Sequence, residues 1–329
     1  MHPPGIILSL WIGDGMINEI RMKHPLIFNL SLILILLAGC SKGPIIEEQE
    51  PVKEPSSPVP PTTEEQKVPA KELFKAPTEP VLTAAPVAGE SFSIPDINLD
   101  MLWCKPGTFM MGSPEDEKDR KDNETQHKVT LTKGFYLGKH EVTQAQWEKV
   151  MGLNPSHFKG ATLPVENVSW HDVMKFCEKL TQMEKAAGRL PEGWVYSLPT
   201  QAQWEFACRA GTTTAYSFGD TVTKEQANFH QNVGKTTSVG TYPANAWGFH
   251  DMHGNVWEWC SDWYGAYPSV SVSDPVGPSD GSSRVNRGGG WYGLGRSMRS
   301  AARGGGTPGY RLSSLGFRLS LQTATAKTE

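Results

Sequence analysis

The chain has 329 residues, 38% of them hydrophobic, and a net charge of −4. Those values suit a globular chain that also carries a disordered segment. The slight acidity, with no Lys/Arg run able to track a phosphate backbone, excludes nucleic acid as the expected partner.

An export signal comes first in chain order. Met22-Lys23-His24 is a short basic start, and Leu26–Leu37 is an apolar run broken only by Asn29 and Ser31. The run is too short to span a bilayer as a helix and suits a signal peptide over 22–39. Translation is expected to begin at Met22 or Met16, which leaves residues 1–21 as a misassigned start. The signal closes on Leu37-Ala38-Gly39-Cys40, which resembles the bacterial lipobox. That resemblance implies that Cys40 is acylated, palmitate included, and becomes the first mature residue. Ser41, rather than Asp, implies sorting to the outer membrane, with the domain surface-exposed. Several acyl chains on one cysteine make a stable anchor.

Residues 40–96 are rich in Pro, Glu, Thr, Ser and Ala and cannot bury enough apolar surface to fold. They read as a tether spanning roughly 40 Å as a coil and at most about 170 Å when extended. One folded domain is expected over 97–322, with a short tail at 323–329. Phe109–Gly112 and Val129–Leu131 read as strands. Helix starts are marked by Thr143 with Gln146, Ser169 with Asp172, and Thr200 with Gln203. The second helix, about 170–187, sets Val173, Phe176, Cys177 and Leu180 on one apolar face. Beyond Phe206, Gly-, Trp- and Asn-rich loops and short strands are expected.

Five cysteines are present, at 40, 104, 177, 208 and 260, with no Cys-x-x-Cys pair. Setting Cys40 aside leaves four, which allow zero, one or two bridges. Cys177 reads as a small buried hydrophobe. His140, His171, His250 and His253 fall in no metal-binding pattern and read as loop or core residues.

Eight motifs then occur in order: PGTFMMGS (106–113), Gly138 through Glu141-Val142-Thr143 to Trp147, PVENVSW (164–170), LPTQAQWEFACRAG (198–211), GFHDMHGNVWEWCSDWY (248–264), RGGGW (287–291), SAAR (300–303) and LGFRL (315–319). Together they resemble the formylglycine-generating enzyme, or sulfatase-modifying factor, superfamily over most of residues 100–320. The resemblance implies an α+β variant of the C-type lectin fold with much irregular structure. It also implies two copper-binding cysteines between the RGGGW and SAAR motifs. Here that interval has none, and the position of the first is about Gly293. Without thiolates there is no soft site for Cu(I), so no copper and no oxygenase activity are expected. The family's disulfides would join Cys177 and Cys208 to positions that here hold Leu319 and Ser300. A family calcium site matches Asp251, Gly254, Val256 and Glu258, whose carboxylates and carbonyls are the hard ligands calcium takes. The alternative is that Asp251 and Glu258 simply hydrogen-bond the loop. A second family site resembles Asn228 and Phe229 but lacks its acidic residue. Trp204, Trp257, Trp259 and Trp291 lie inside scaffold motifs and are expected to pack the core.

The segment 287–319 has no Cys, His, Asp, Glu or Lys. Its spacing resembles the variable regions of lipoproteins diversified by retroelements, in which miscopied AAC codons become NNC. Twelve positions read as variable: Tyr292, Gly293, Leu294, Ser297, Gly304, Gly305, Gly306, Gly309, Tyr310, Leu312, Ser313 and Ser314. Every one is a residue that NNC encodes. Arg287, Arg299, Arg303 and Arg318 are expected to anchor the backbone between them. Tyr292, Tyr310 and Leu312 then read as exposed anchors among adaptable Gly and Ser, as in a paratope. The expectation is a lipid-anchored, surface-displayed binding protein whose ligand is a protein or glycan on another cell or host surface. The alternatives are a divergent oxygenase of the same family and a structural envelope lipoprotein.

Overall fold

A computed structural model describes residues 85–324. The signal peptide, Cys40 and most of the tether lie outside the described residues. In the first third of the domain lie β1 (Phe92–Ile94), β2 (Leu99–Cys104), β3 (Gly107–Met111), β4 (His127–Leu131) and β5 (Phe135–Gly138). Helices α1 (Gln144–Met151) and α2 (Trp170–Ala186) follow, then β6 (Trp194–Ser197) and α3 (Gln201–Arg209). The remainder holds β7 (Trp257–Trp263), β8 (Val272–Ser273), β9 (Arg284–Arg287), β10 (Arg303–Gly306), β11 (Leu315–Gly316) and β12 (Ser320–Thr323). A 3-10 turn at Gly295–Met298 is the one helical element described after α3. The fold is α+β, as the motifs imply.

Each expected helix start carries a reciprocal capping box. Thr143 and Gln146, Ser169 and Asp172, and Thr200 and Gln203 each exchange side-chain and backbone hydrogen bonds. Such pairs satisfy amide groups that the first helical turn leaves free. The apolar face of α2 buries Val173, Phe176, Cys177 and Leu180 as its spacing requires.

Three sheets result, in the orders β1-β2-β5-β12-β6, β10-β9-β7-β11 and β3-β4-β8. α1 and α2 pack on the first sheet, where Trp147 stacks on Phe176 with centroids 5.3 Å apart and Phe317 meets both rings edge-on. A second core gathers Trp204, Phe206, Phe249 and Val285 around Cys104, Cys208 and Cys260. All four described cysteines are free and buried. Trp204 and Trp259 are fully buried, whereas Trp257 and Trp291 are half-buried.

Two boundaries shift. The domain starts before residue 97, because β1 pairs with β2 and buries Ile94 completely. Its three residues follow a Pro-rich stretch and carry no local strand signal. At the other end Thr323 belongs to β12, paired with Trp194, rather than to a tail.

Buried ion pairs join the sheets. Glu205 on α3 accepts from Arg287, from Arg209 and from the Gly112 amide. Arg318 grips Glu258 through Nε and Nη2 and also reaches the carbonyls of Gly138 and His250. Removing one member of such a pair strands a charge in the interior. Arg287→Ala is therefore expected to lower unfolding stability by about 3–5 kcal/mol, read by urea denaturation.

Candidate ligand-binding face

β10 is an edge strand, and the segments before and after it (288–302 and 307–314) expose Tyr292, Arg296, Thr307, Gly309, Tyr310 and Arg311. The scaffold holds their backbone at closely spaced points. Arg287 Nη1 and Nη2 donate to the carbonyls of Ala301 (3.0 Å) and Ser300 (2.7 Å). The amides of Gly254 and Trp291 donate to Gly288 and Asn255, at 2.7 and 2.8 Å. The amides of His230 and Gln231 donate to Gly293 and Trp291, at 2.8 and 2.9 Å. Tyr216 Oη donates to the Gly295 carbonyl, and Trp291 Nε1 to that of Ser313 at 3.1 Å. Arg299 pairs with Glu124 and Glu117. Arg303 donates to the Gly265 carbonyl and lies over Tyr267 and Tyr264. The four expected arginine anchors are thus all engaged.

His253 adds a further tie. Its Nδ1 lies 2.7 Å from the Met298 carbonyl, which accepts only, so Nδ1 carries the proton. Nε2 then accepts from the amide and hydroxyl of Ser217, at 3.1 and 3.0 Å. Burial lowers its pKa to about 4, so the ring is neutral.

The twelve variable candidates fall into two groups. Tyr292 and Tyr310 are 45% and 48% exposed. A Cβ added at Gly309 would meet nothing within 4 Å. Leu294, Ser297 and Ser313 are half-buried, and a Cβ at Gly293 would come 3.3 Å from the Gly290 carbonyl oxygen. The others belong to the scaffold. Ser314 is 1% exposed, and its carbonyl accepts from the Trp257 amide at 2.7 Å. Leu312 is half-buried against the larger core, so it is not an exposed anchor. Gly306 is buried, with Trp259 3.0 Å from where its Cβ would be. A Cβ at Gly304 would fall 2.2 Å from Asn286 Oδ1, and one at Gly305 would fall 3.0 Å from the Tyr264 ring.

The residues present do not fit copper. The resemblance puts the first thiolate at about Gly293, and all four described thiols are buried, Cys208 with its pKa pushed up to about 12. Its Sγ is 3.6 Å from Ser300 Oγ and 3.7 Å from His253 Nε2.

The proposed calcium set is altered by its neighbours. Glu258 already accepts from Trp204 Nε1 (2.7 Å) and three times from Arg318, which occupies both oxygens. Asp251 accepts from the Gly240 amide through Oδ2, while its Oδ1 is buried without a partner. Burial raises the Asp251 pKa to about 6. Glu141, a motif residue not assigned to the calcium set, is fully buried and accepts from Asn255 Nδ2 and the Val256 amide. Its pKa is pushed up by burial and then by Asp251 and Glu258. Three buried carboxylates thus face Arg318. Among the described residues, no group of three or more His, Cys, Asp or Glu is arranged to hold a metal ion. At the second family position, Asn228 Nδ2 donates to the Lys235 carbonyl, shaping the turn behind Gly293.

The loop 154–160 also reaches this face and has no motif to announce it. Phe158 sits edge-on to Trp291 at 5.5 Å, and its amide donates to buried Glu166.

The sulfatase-modifying factor enzyme 1-like domain model matches residues 91–323. A serine/threonine-protein kinase, pkn1, of Chlamydia caviae is 32% identical over 67% of this chain, which spans 37% of that protein's length. The formylglycine-generating enzyme of Streptomyces coelicolor is 34% identical over 54% of this chain and 58% of its own. Among solved structures, Treponema denticola variable protein 1 superposes with a TM-score of 0.62 and 31% identity, over 70% of this chain and 98% of that one.

Two outcomes follow from this geometry. Tyr292→Ala and Tyr310→Ala should each change stability by less than about 0.5 kcal/mol, whereas Gly306→Val should cost about 1–3 kcal/mol, both read by thermal denaturation. His253 has a folded pKa below its unfolded value of about 6.5, so its contribution is present above that pH and lost as pH falls toward about 4. His253→Gln should accordingly lose roughly 2–3 kcal/mol less than the parent between pH 7 and pH 4 in urea denaturation.

Proposed function

Within the sulfatase-modifying factor enzyme 1-like family, to which the chain belongs, we propose that this member binds ligands and has no formylglycine-generating activity. The observation that carries this reading is the pairing of a locked backbone with open side-chain positions. Tyr292 projects from a main chain held on either side by the amides of His230 and Gln231, and Gly309 and Tyr310 from a turn closed by the Tyr310 amide on the Thr307 carbonyl. Side chains there can change without disturbing folding, which is what a diversified binding surface requires. The likeness to Treponema denticola variable protein 1 supports the same reading. The ligand is a protein or glycan on another cell or host surface. The domain is displayed from the outer membrane through acylated Cys40 and the Pro/Glu-rich tether. If calcium binds, Asp251 Oδ1 and the carbonyls of Gly254 and Val256 would hold it, with Glu141 supplying charge.

The formylglycine-generating relatives favour a second reading, a divergent oxygenase. Copper uptake by the purified chain, with oxygen consumption on a cysteine peptide, would establish it. The first reading is tested by sequencing the 3′ end of the gene in related isolates and in one long-passaged culture. Substitutions should cluster at Tyr292, Gly309, Tyr310 and Ser313, stay within NNC-encoded residues, and be rare at Gly306 and Ser314. Scattered or absent variation would overturn diversification.

A further inference from the structure

The ring system of this face extends beyond the variable positions. His157, Phe158, Trp291 and Tyr292 form a continuous series with centroids 4.8, 5.5 and 5.6 Å apart. Each ring is nearly perpendicular to the next, at 79°, 82° and 76°. The strip therefore sets its rings edge to face, with polar ring atoms at the His157 and Tyr292 ends, and offers no flat apolar groove. Three of its four members lie outside the variable set, so the strip is a fixed part of the face.

The exposed charges carried by the face's own segments are of one sign, with the Glu166 carboxylate buried beneath Phe158. The four segments that build the face, 154–160, 229–235, 288–298 and 307–314, contain no Asp or Glu. They contribute exposed Lys159, Lys235, Arg296 and Arg311, with His157 and His230 also exposed. Only Arg311 has a counterion among the salt bridges, Asp172 at 2.5 Å. Acidic residues return beyond the Arg299 end, in the loop 114–124, where Glu117 and Glu124 turn inward to Arg299. A chain of net charge −4 thus concentrates free cations around its exposed rings.

We propose that the ligands of this face are acidic polysaccharides carrying uronate or sulfate groups. The inference rests on the reading of 291–314 as the binding face and adds its ligand class. Sugar rings have an apolar CH face and a hydroxylated rim, which match exposed His157 and Tyr292, each with a polar edge, at the two ends of the half-buried Phe158 and Trp291 rings. The anionic groups between successive sugars match the exposed cations that the same segments carry. Fixed cations attract any polymer of this class and speed encounter, while the variable side chains select among its members. An acidic peptide shares the charge but would need an apolar pocket for its side chains, and the strip supplies none.

The test uses the full chain purified in detergent, passed over immobilised heparin, with dextran as the neutral control and poly-L-glutamate as the acidic peptide control. Retention on heparin is expected at about 0.1 M salt and release by about 0.5 M, with no retention on dextran. The double variant Lys159→Glu, Arg296→Glu should bind heparin at least about tenfold more weakly with an unchanged Tm. Should that variant unfold, Lys159→Gln with Arg296→Gln replaces it. Failure of the parent chain to bind heparin, undiminished binding by the variant, or stronger retention on poly-L-glutamate would each overturn the proposal. Clustered variation at 292–313 without heparin binding removes only the acidic polysaccharide. Heparin binding without variation removes only the diversification.

Discussion

The guanidinium of Arg287 is the point on which the domain turns. It is fully buried, neutralised by Glu205 on α3, and donates to two carbonyls just before β10. One side chain therefore ties the helix, β9 and the segment that leads to the binding face. Glu205 in turn holds the Gly112 amide and Arg209, which brings in the end of β3. Both terminal nitrogens of this guanidinium are partnered, while its Nε is buried without a partner, so the charge is held by Glu205 and the two carbonyls alone. The Arg318–Glu258 pair does the same work on the other side of β7.

This rigidity explains how a segment of very low chemical variety can be a recognition element. The stretch 287–319 has no acid, no thiol and no imidazole, so its order comes from outside itself. Trp291 is fixed by Ser313, Gly293 by His230, Gly295 by Tyr216 and Met298 by His253. All but the first of these partners come from the segments 216–231 and 253–255. The candidate face is thus an outer layer on a second, histidine- and asparagine-bearing layer.

Sequence legibility follows the range of the forces involved. The three helix starts are visible because a capping box is a contact between residues three apart. The α2 core face is visible because its period is local. The four arginine anchors are foreseen in kind, but the acidic partners of three of them are not, since Glu205, Glu258 and Glu124 lie 60 to 175 residues away in sequence. Ser314 and Leu312 read as surface residues and are drawn inward by bonds to Trp257 and Asn167. Phe158 is missed because its place beside Trp291 rests on a bond to Glu166, whose motif does not say which amide it accepts from. Glu141 is missed as a partner of Asp251 because a buried carboxylate declares itself only through its neighbours' charge.

The four thiols have a consequence for the route by which the domain is made. Cys104, Cys177, Cys208 and Cys260 are buried, and burial raises the pKa of each, so the finished domain offers an oxidant no thiolate. Before folding, each thiol has an ordinary pKa and lies in the open. If the chain matures in an oxidising compartment, folding competes there with random disulfide formation, and any bridge formed first would block one of the two cores from closing. The domain's resistance to oxidation is then acquired with its fold, and its yield depends on a race between chain collapse and the local oxidant.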